Sequence, residues 1–326
     1  MFLPGVSIII ASLNSEKTID GCLKSIFELD YPQDLIEVIV VDGCSKDATV
    51  KIAQKYSAKV FSAPLTAPAA YNYAIKIVSN DILGFIDADA KVEKTWLKKL
   101  LKHISLPQVA GVSGSIETWN TENAWARSIG YDLKKRYARL KKHVIRVATM
   151  NLLLKKTIVQ EVGGFDENLP SQYDTDLGFR ITSKGYKVVY EPNAKCYHFN
   201  RSTLIGYFRQ QLQYGKNTAR LYLKHGDLFK GDAITNLSMN IQPFLILTLF
   251  TLLFLGIPEA FRLLWYVSAL IFALILIYYI ASAIHLAITF KDIAGMLMII
   301  LYFVRAFAWF SGAVITTFNF ITSKRR

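Results

Sequence analysis

The stretch that decides the fold is Ile82-Leu83-Gly84-Phe85-Ile86-Asp87-Ala88-Asp89, an apolar run that ends in two carboxylates. It is the fourth strand-like run of a segment in which such runs alternate with stretches of helical spacing. Strands and helices that alternate in this way predict an α/β fold, Rossmann-like, with a mostly parallel sheet covered by helices on both faces. We predict strands at Val6–Ile10, Glu37–Val41, Lys59–Ser62 and Ile82–Ile86, and helices at Lys17–Leu29, Ala48–Tyr56, Pro68–Ser79 and Thr95–His103.

Polar residues follow three of these strands. They form the segments Ser12–Glu16, Asp42–Asp47 and Asp87–Asp89, and ligands of open parallel sheets bind beyond the carboxyl ends of the strands. Asp87 and Asp89 lie two residues apart, so in an extended segment their side chains share a face and can converge on one divalent cation, Mg²⁺ or Mn²⁺. A solvated strand end that binds nothing is the simpler alternative for two such carboxylates taken alone.

The charge of the chain is unevenly spread. The net charge is +13, yet from residue 236 onward there are only six Lys or Arg and two Asp or Glu. A basic surplus suits nucleic acid, anionic lipid or phosphorylated substrates. The apolar C-terminal part favours lipid headgroups and nucleotide phosphates, and because no nucleic-acid-binding module accompanies the basic residues we expect no nucleic-acid partner. The sequence fixes no oligomeric state.

The C-terminal part predicts a membrane anchor of about three helices, 241–257, 263–288 and 294–320. The last two exceed the roughly 20 residues that cross a bilayer, whereas the first is marginal. We therefore predict a globular domain over residues 1–231 and an anchor over 232–326, multi-pass in the cytoplasmic membrane, with the globular domain facing the cytosol. Three spans would place Lys324-Arg325-Arg326 outside and two would place it inside, as the positive-inside tendency prefers. Arg305, inside the last span, is expected to meet a lipid phosphate or to snorkel.

Five motifs in order give the globular part a family resemblance. Together they are similar to glycosyltransferase family 2, whose members have a GT-A fold, and the resemblance covers about residues 4–225. The motifs are Val6–Asn14, Tyr31-Pro32 with Glu37–Asp47, Asp87-Ala88-Asp89, Gly163–Glu167 and Asp174–Leu177.

The resemblance implies a donor-binding side. Ser12, Asn14 and Glu16 would contact the base and ribose of a nucleotide-diphosphate sugar, and Asp42 would lie near the base. Gly43 departs from the family, which usually has a second acidic residue at this position. The identity of the base therefore stays open.

The resemblance also implies the reacting groups. Asp87 and Asp89 would bind the donor diphosphate and its metal, and His198 is a further candidate ligand of the metal. Asp174 matches the general base that accepts the proton of the attacking hydroxyl, and Asp176 lies on the acceptor side in a structural or orienting role. Direct attack opposite the leaving diphosphate would invert the anomeric carbon.

A later helix carries a degenerate motif. Gln210, Gln213, Tyr214 and Lys216 occupy the place of the Q-x-x-R-W motif of processive family members, with Gln and Tyr where Arg and Trp would stand. Lys216 is a candidate point charge for the diphosphate and Tyr214 can stack on a sugar. The alternative is an amphipathic helix, about 204–222, at the membrane surface. The degeneracy argues against a processive polymerase.

The densest basic run is Lys134-Lys135-Arg136-Tyr137-Ala138-Arg139-Leu140-Lys141-Lys142-His143, together with Arg146. At helical spacing Leu133, Tyr137 and Leu140 fall on one side, which predicts a helix lying flat on anionic membrane or guiding a phosphorylated acceptor. A solvated helix face is the alternative.

These features predict an inverting, metal-dependent glycosyltransferase that acts on a hydroxyl of a membrane-associated acceptor, lipid-linked or polysaccharide. A polyprenyl-phosphate sugar synthase is the alternative, although an ionised phosphate acceptor needs no base such as Asp174. A catalytically silent partner that binds nucleotide-sugar is a third possibility, disfavoured because Asp87, Asp89 and Asp174 are all present.

Overall fold

The computed structural model describes residues 3–323, and its centre is one eight-stranded sheet in the order β3-β2-β1-β4-β7-β6-β8-β5. The strands are β1 (Val6–Ser12), β2 (Ile36–Asp42), β3 (Lys59–Ser62), β4 (Ile82–Phe85), β5 (Ala90–Val92), β6 (Val109–Thr118), β7 (Leu152–Lys155) and β8 (Lys187–His198).

Eleven α-helices lie within the described residues. They are α1 (Ile19–Phe27), α2 (Thr49–Ala53), α3 (Ala67–Ile77), α4 (Trp96–Ile104), α5 (Ala124–Tyr137), α6 (Lys156–Glu161), α7 (Tyr173–Ser183), α8 (Leu204–Lys224), α9 (Leu237–Leu255), α10 (Leu263–Phe290) and α11 (Met298–Ser323).

The predicted α/β sheet is confirmed, with a change in its second half. Strands β1 to β4 pair in parallel as the alternating pattern predicts. Strand β7 is antiparallel to both of its neighbours, β4 and β6, and β5 is antiparallel to β8. The sheet is therefore mixed, because the later strands are not each preceded by a crossover helix that returns the chain to the same end of the sheet.

Both faces of the sheet are covered, as predicted. In β1 the fully buried Ile8 and Ile10 join one apolar cluster while Ile9 between them joins another, because successive side chains of a strand point to opposite faces. Helices α1 and α4 cover the first face and α3 the second. The parallel register aligns Ser12 with Asp42, so the two polar loops leave the same end of the sheet.

The chain forms two compact units. The first comprises the residues up to Trp119 together with Tyr137–Phe199, and the second comprises Asn120–Arg136 and the residues from Asn200 onward. The second unit thus begins earlier than the predicted boundary at residue 231 and includes α8. The reason lies in a tight helix crossing, since a Cβ at Gly215 of α8 would stand 2.6 Å from the Trp309 Cα of α11.

Three long apolar helices in the second unit confirm the three predicted C-terminal helices. Leu237–Leu255, Leu263–Phe290 and Ile293–Asn319 contain 19, 28 and 27 residues and are long and apolar enough to cross a membrane. The marginal first helix starts earlier than predicted and so is about 28 Å long at 1.5 Å per residue. The basic segment Lys324-Arg325-Arg326 lies outside the described residues.

Arg305 takes a different partner from the ones expected. It is 5% exposed and its Nη1 lies 3.3 Å from Asp132 Oδ2 of α5, within the second unit. The same carboxylate accepts a 3.0 Å hydrogen bond from the Tyr302 hydroxyl and lies 3.1 Å from Arg136 Nη2. Burial raises the pKa of Asp132, but the charges of Arg136 and Arg305 outweigh it and hold that pKa below its ordinary value. Neither snorkelling nor a lipid phosphate is needed to explain the arginine.

The flat-lying helix predicted over the basic run is wrong. Helix α5 ends at Tyr137, and the backbone from Lys142 to Val144 instead forms hydrogen bonds with β8. Tyr137 is buried and Leu140 packs against the core of the first unit, so these apolar side chains do not line an outer face. Lys141 and Lys142 remain exposed.

Candidate functional site

Asp42 organises the loops at the end of β1 and β2. Its carboxylate is fully buried and accepts hydrogen bonds from Ser12 Oγ at 3.1 Å, from the Ser45 backbone N–H at 2.8 Å and from the Ser45 hydroxyl. Ser62 Oγ donates a further bond at 3.3 Å. With its oxygens engaged in this way, Asp42 fixes the shape of the loop that follows β2.

Asn14 and Glu16 are the exposed members of the predicted donor-binding group. Asn14 adopts the left-handed conformation, with φ 49°, and its Oδ1 accepts a 2.9 Å hydrogen bond from the Lys46 backbone N–H. Glu16 Oε2 accepts a 3.2 Å bond from the Ala48 N–H. The two segments predicted from the sequence thus form one hydrogen-bonded edge, and the role of these residues toward a nucleotide stays a prediction.

Asp87 is tied to two side chains that lie far from it in sequence. Its Oδ1 accepts hydrogen bonds from the Tyr71 hydroxyl at 3.0 Å and from Thr149 Oγ1 at 2.9 Å. Burial, and secondarily the neighbouring charge of Asp89, raise the pKa of this carboxyl. Because one oxygen is held by two donors, Asp87 is fixed in orientation.

Asp89 meets His198 through strand pairing. Ala90 of β5 lies opposite His198 of β8, and the Phe199 backbone N–H donates to the Asp89 carbonyl at 2.8 Å. This register brings His198 Nε2 to 3.4 Å from Asp89 Oδ1. Strand pairing thereby brings the acidic motif together with an imidazole 109 positions away in sequence.

This donor set fits a divalent cation that is completed by a ligand. Among residues 3–323 no group of three or more His, Cys, Asp or Glu side chains is placed to hold a metal ion alone. A carboxylate and an imidazole, Asp89 and His198, are ligands that Mn²⁺ and similar ions accept. Asp89 and His198 are therefore the residues that would hold such an ion.

Asp174 lies at the start of α7. Gln172, two residues earlier, has a φ of 66°, so the chain turns sharply into the helix. Asp174 Oδ1 accepts a 2.7 Å hydrogen bond from the Thr175 backbone N–H. Burial raises the pKa of Asp174, while this N–H and the charge of Arg146 oppose the rise. A carboxylate with a raised pKa accepts a proton more readily than an ordinary aspartate.

An aromatic cluster joins the two acidic groups within the first unit. The Tyr71 ring lies 5.9 Å from that of Tyr173, the residue before Asp174, and 5.1 Å from that of Phe165. Since the Tyr71 hydroxyl also donates to Asp87, one side chain contacts both the acidic motif and the start of α7.

Asp176 has a structural environment. It is fully buried and its Oδ2 accepts a 2.7 Å bond from Arg180 Nε, while Arg180 Nη2 donates to the Gly164 carbonyl at 2.7 Å. The pair anchors α7 to the turn at Gly163-Gly164, where both glycines have positive φ. The Asp176 carboxylate is thus enclosed within the first unit, and its structural or orienting role stays a prediction.

The degenerate motif lies on α8, in the second unit, so the predicted helix is confirmed and extends to Lys224. Gln213 is exposed, whereas Gln210, Tyr214 and Lys216 are half-buried. The buried amide of this stretch is the neighbouring Gln211, whose Oε1 accepts a 3.0 Å bond from Trp309 Nε1.

Three residues of the site were not predicted from the sequence. Tyr71 falls in a predicted helix and resembles an ordinary core aromatic, and Thr149 precedes a strand without any motif. Arg146 was counted only within the basic run, yet its Nη1 donates to Gln172 Oε1 at 3.0 Å and to Thr175 Oγ1 at 2.8 Å. No local pattern marks these positions, because their partners lie 16 to 62 residues away.

Part of the chain matches a known family. Residues 7–163 match the family model described as Glycosyl transferase family 2. This stretch, just under half of the chain, is similar to glycosyltransferase family 2. The matched residues include the two hydrogen-bonded loops, Ser12–Glu16 and Asp42–Asp47, and the acidic motif. Asp174 and His198 lie beyond the matched stretch.

Two relatives illustrate this similarity. Glycosyltransferase AglE of Haloferax volcanii is 30% identical over 199 residues, which are 58% of this chain and 64% of that protein. A dolichyl N-acetyl-alpha-D-glucosaminyl phosphate 3-beta-D-2,3-diacetamido-2,3-dideoxy-beta-D-glucuronosyltransferase of Methanococcus voltae is 24% identical over 64% of this chain and 71% of its own length. The chain thus spans less than two thirds of AglE.

The fold also resembles a solved structure over nearly the whole chain. The mannosyltransferase PcManGT from Pyrobaculum calidifontis, in complex with GDP-Man and Mn²⁺, superposes with a TM-score of 0.61 and 18% identity. The match covers 98% of this chain and 88% of that one. At this identity the likeness concerns the fold, and it agrees with the GT-A fold expected from the sequence.

Proposed function

We propose that this protein transfers one sugar from a nucleotide-diphosphate sugar to a hydroxyl of a membrane-associated acceptor, with inversion at the anomeric carbon. The observation that carries the proposal is the arrangement of the first unit, in which Tyr71 contacts both Asp87 and the residue before Asp174. Diphosphate-binding and proton-accepting groups on one rigid frame are what such a transfer needs.

The donor would bind at the two hydrogen-bonded loops that follow β1 and β2. Asp42 and Ser12 fix the loop from within, and Asn14 and Glu16 form its exposed edge. The diphosphate would lie near Asp87 and Asp89. A divalent cation held by Asp89 and His198 would neutralise charge on the departing diphosphate, and the structure of PcManGT was solved with both GDP-Man and Mn²⁺.

Asp174 would accept the proton of the acceptor hydroxyl. A sugar hydroxyl is a poor nucleophile until a nearby base takes its proton in the transition state. Burial raises the pKa of Asp174, which makes it a better base, and Arg146 keeps the pKa from rising further. Tyr173, the residue before it, packs on Tyr71 and Phe165, which orients the helix start.

The acceptor would be lipid-linked or part of a surface polysaccharide. Three helices of the second unit are long and apolar enough to span a membrane, which supports a multi-pass protein of the cytoplasmic membrane whose family 2 domain faces the cytosol. The name of the Methanococcus voltae relative describes transfer to a sugar already carried on dolichyl phosphate. Such an acceptor presents a hydroxyl and therefore uses a base.

A polyprenyl phosphate acceptor is the second candidate. Its phosphate is largely ionised near neutral pH, because the second pKa is about 6, and it would need no proton acceptor. The basic residues that surround Lys141 and Lys142 favour a phosphate acceptor. The buried position of Asp174, with its raised pKa, favours a hydroxyl acceptor. A silent nucleotide-sugar-binding partner is the least favoured, since each of the three carboxylates is in place.

The test is turnover by the purified full chain in vesicles. A panel of UDP-, GDP- and dTDP-sugars is offered with lipid-linked saccharides, and release of nucleoside diphosphate is followed with Mn²⁺, Mg²⁺ or a chelator. We expect one donor class to react, only with metal, and to give a glycosylated lipid of inverted configuration. Absence of transfer from every donor, with the protein folded, would contradict the proposed activity.

A further inference from the structure

The second unit contains an apolar groove that the proposed chemistry does not use. It has a volume of about 710 Å³ and lies between α8, α9 and α11 and the short turn after α8. This volume is in the roughly 300–1,000 Å³ range of small-molecule sites. Two of its three helices are candidate membrane spans, and α8 is not.

The walls of the groove are held in place. The Tyr222 hydroxyl donates to Asn240 Oδ1 at 2.7 Å, and Asn240 Nδ2 donates to the Phe229 carbonyl at 2.9 Å. The Phe229 ring packs edge-on against Tyr222 at 5.7 Å and against Phe244 at 6.0 Å. These polar groups satisfy one another, so the surface left toward the groove is apolar and aromatic.

The floor of the groove is opened by small residues. Gly215 and Ala219 of α8 and Ala313 of α11 line it. At Gly215 the two backbones approach so closely that a Cβ would stand 2.9 Å from the Trp309 carbonyl oxygen. Thr316 Oγ1 also donates to the Lys216 carbonyl at 3.0 Å. The crossing is therefore fixed, and the groove is a preformed feature of the fold.

Positive charge runs along the same helix beside the groove. Lys216 and Arg220 each follow a groove-lining residue, Gly215 and Ala219, and are four residues apart, so they form one stripe next to the apolar one. Arg220 is exposed and Lys216 half-buried. An apolar channel with a cationic edge matches an amphiphile that has a hydrocarbon chain and an anionic head.

We propose that this groove holds the hydrocarbon chain of the phosphate-bearing lipid that carries the acceptor, with Lys216 and Arg220 beside its phosphate. The inference rests on the proposed function, which it deepens by naming the class of acceptor. A polyisoprenyl chain on phosphate meets both requirements of the site, the apolar channel and the cationic edge. Ordinary bilayer lipid would fill the channel without preference.

The experiment is photolabelling of the full chain in phosphatidylcholine vesicles with a diazirine-bearing farnesyl phosphate. Ala313→Trp and Leu247→Trp fill the groove from two different helices, and Ile315→Trp is the matched control on an exposed position of α11 outside the lining. Arg220→Gln tests the charged edge, with Arg201→Gln, an exposed arginine before α8 and outside the groove lining, as its control. Thermal unfolding in detergent confirms that each variant is folded.

We expect labelled peptides from α8, α9 and α11, and at least fivefold less labelling in both groove variants and in Arg220→Gln, with the controls unchanged. Unlabelled farnesyl phosphate should compete, and farnesol or phosphatidylglycerol should not. Undiminished labelling in the two Trp variants, or equal competition by phosphatidylglycerol, would overturn the proposal. Labelling needs neither donor nor turnover, so it can fail while sugar transfer is intact, and transfer can fail while labelling persists.

Discussion

We expect sugar transfer from the donor to depend on the carboxylate of Asp89. It is partly exposed and lies 3.4 Å from His198 Nε2. We predict that Asp89→Ala lowers transfer by about 100-fold or more, because charge on the leaving diphosphate loses its main stabiliser. Steady-state transfer with Mn²⁺ measures the effect, and Asp34→Ala, an exposed carboxylate in the short 3-10 helix before β2, is the control. Full turnover both in the variant and after chelation would contradict the metal site.

The raised pKa of Asp174 leads to a prediction about pH. A general base works when deprotonated, so activity is present above its pKa and lost as the pH falls through it. With that pKa raised by burial, the acid limb of kcat/KM should lie above the ordinary value of about 3.9 for aspartate. Arg146→Met removes a charge that lowers the pKa, so the limb should move to higher pH.

The pH–rate profile of the Arg146→Met variant is compared with that of Lys55→Met, which removes an exposed charge on another element. The lysine variant should keep the wild-type limb. If the acid limb stays at the same pH when Arg146 is replaced, Arg146 does not influence the pKa of the general base.

Residue-level prediction from sequence reached the acidic positions but not their partners. Asp87 and Asp89 could be found because two carboxylates ended a buried run, and family resemblance added Asp174. No local sequence pattern marks Tyr71 and Thr149, which donate hydrogen bonds to Asp87. Their contacts with Asp87 depend on how α3 and the segment before β7 pack. Arg305 was misassigned for the same reason, because its partner Asp132 lies 173 residues away.

At the scale of elements, the crossing of α8 and α11 yields the clearest prediction. A Cβ at Gly215 would stand 2.6 Å from the Trp309 Cα, which is backbone and cannot turn aside. Gly215→Ala should therefore destabilise the protein by about 1–3 kcal/mol, the usual cost of overpacking. Thermal unfolding in detergent measures it.

Gly226→Ala is the matched control for that crossing, since nothing lies within 4 Å of a Cβ at Gly226. It should unfold at the wild-type temperature. Equal stability of both alanine variants would show that the crossing is looser than described.

Elements were predicted well where periodicity was local. The buried residues Ile19, Cys22, Leu23 and Ile26 of α1 repeat at helical spacing, and the helix is present. The helix predicted over the basic run was wrong because that prediction rested on the spacing of the apolar residues alone. In the structure the backbone after Tyr137 forms hydrogen bonds with β8 instead. Strand direction in the second half of the sheet could not be read either, because it depends on pairing between distant strands.

For the whole molecule, the surplus of positive charge, +13, predicts attraction to anionic membrane. Lys134, Lys141 and Lys142 are exposed members of the basic run. Replacing all three by Gln should raise the acceptor KM in vesicles that contain anionic lipid, more at low salt than at high salt, because exposed charge is screened. The donor KM should not change. Unaltered acceptor kinetics in neutral and anionic vesicles alike would make the run an ordinary solvated surface.

The most direct test of base-assisted transfer to a hydroxyl is the transfer rate of Asp174→Asn at saturating donor. The amide has nearly the same shape as the carboxylate but does not accept the proton. We predict that the variant binds the nucleotide-sugar with wild-type affinity and transfers sugar about 10² times more slowly or worse. A near-normal rate would contradict the assignment, because the acceptor would then arrive already ionised or another group would serve as the base.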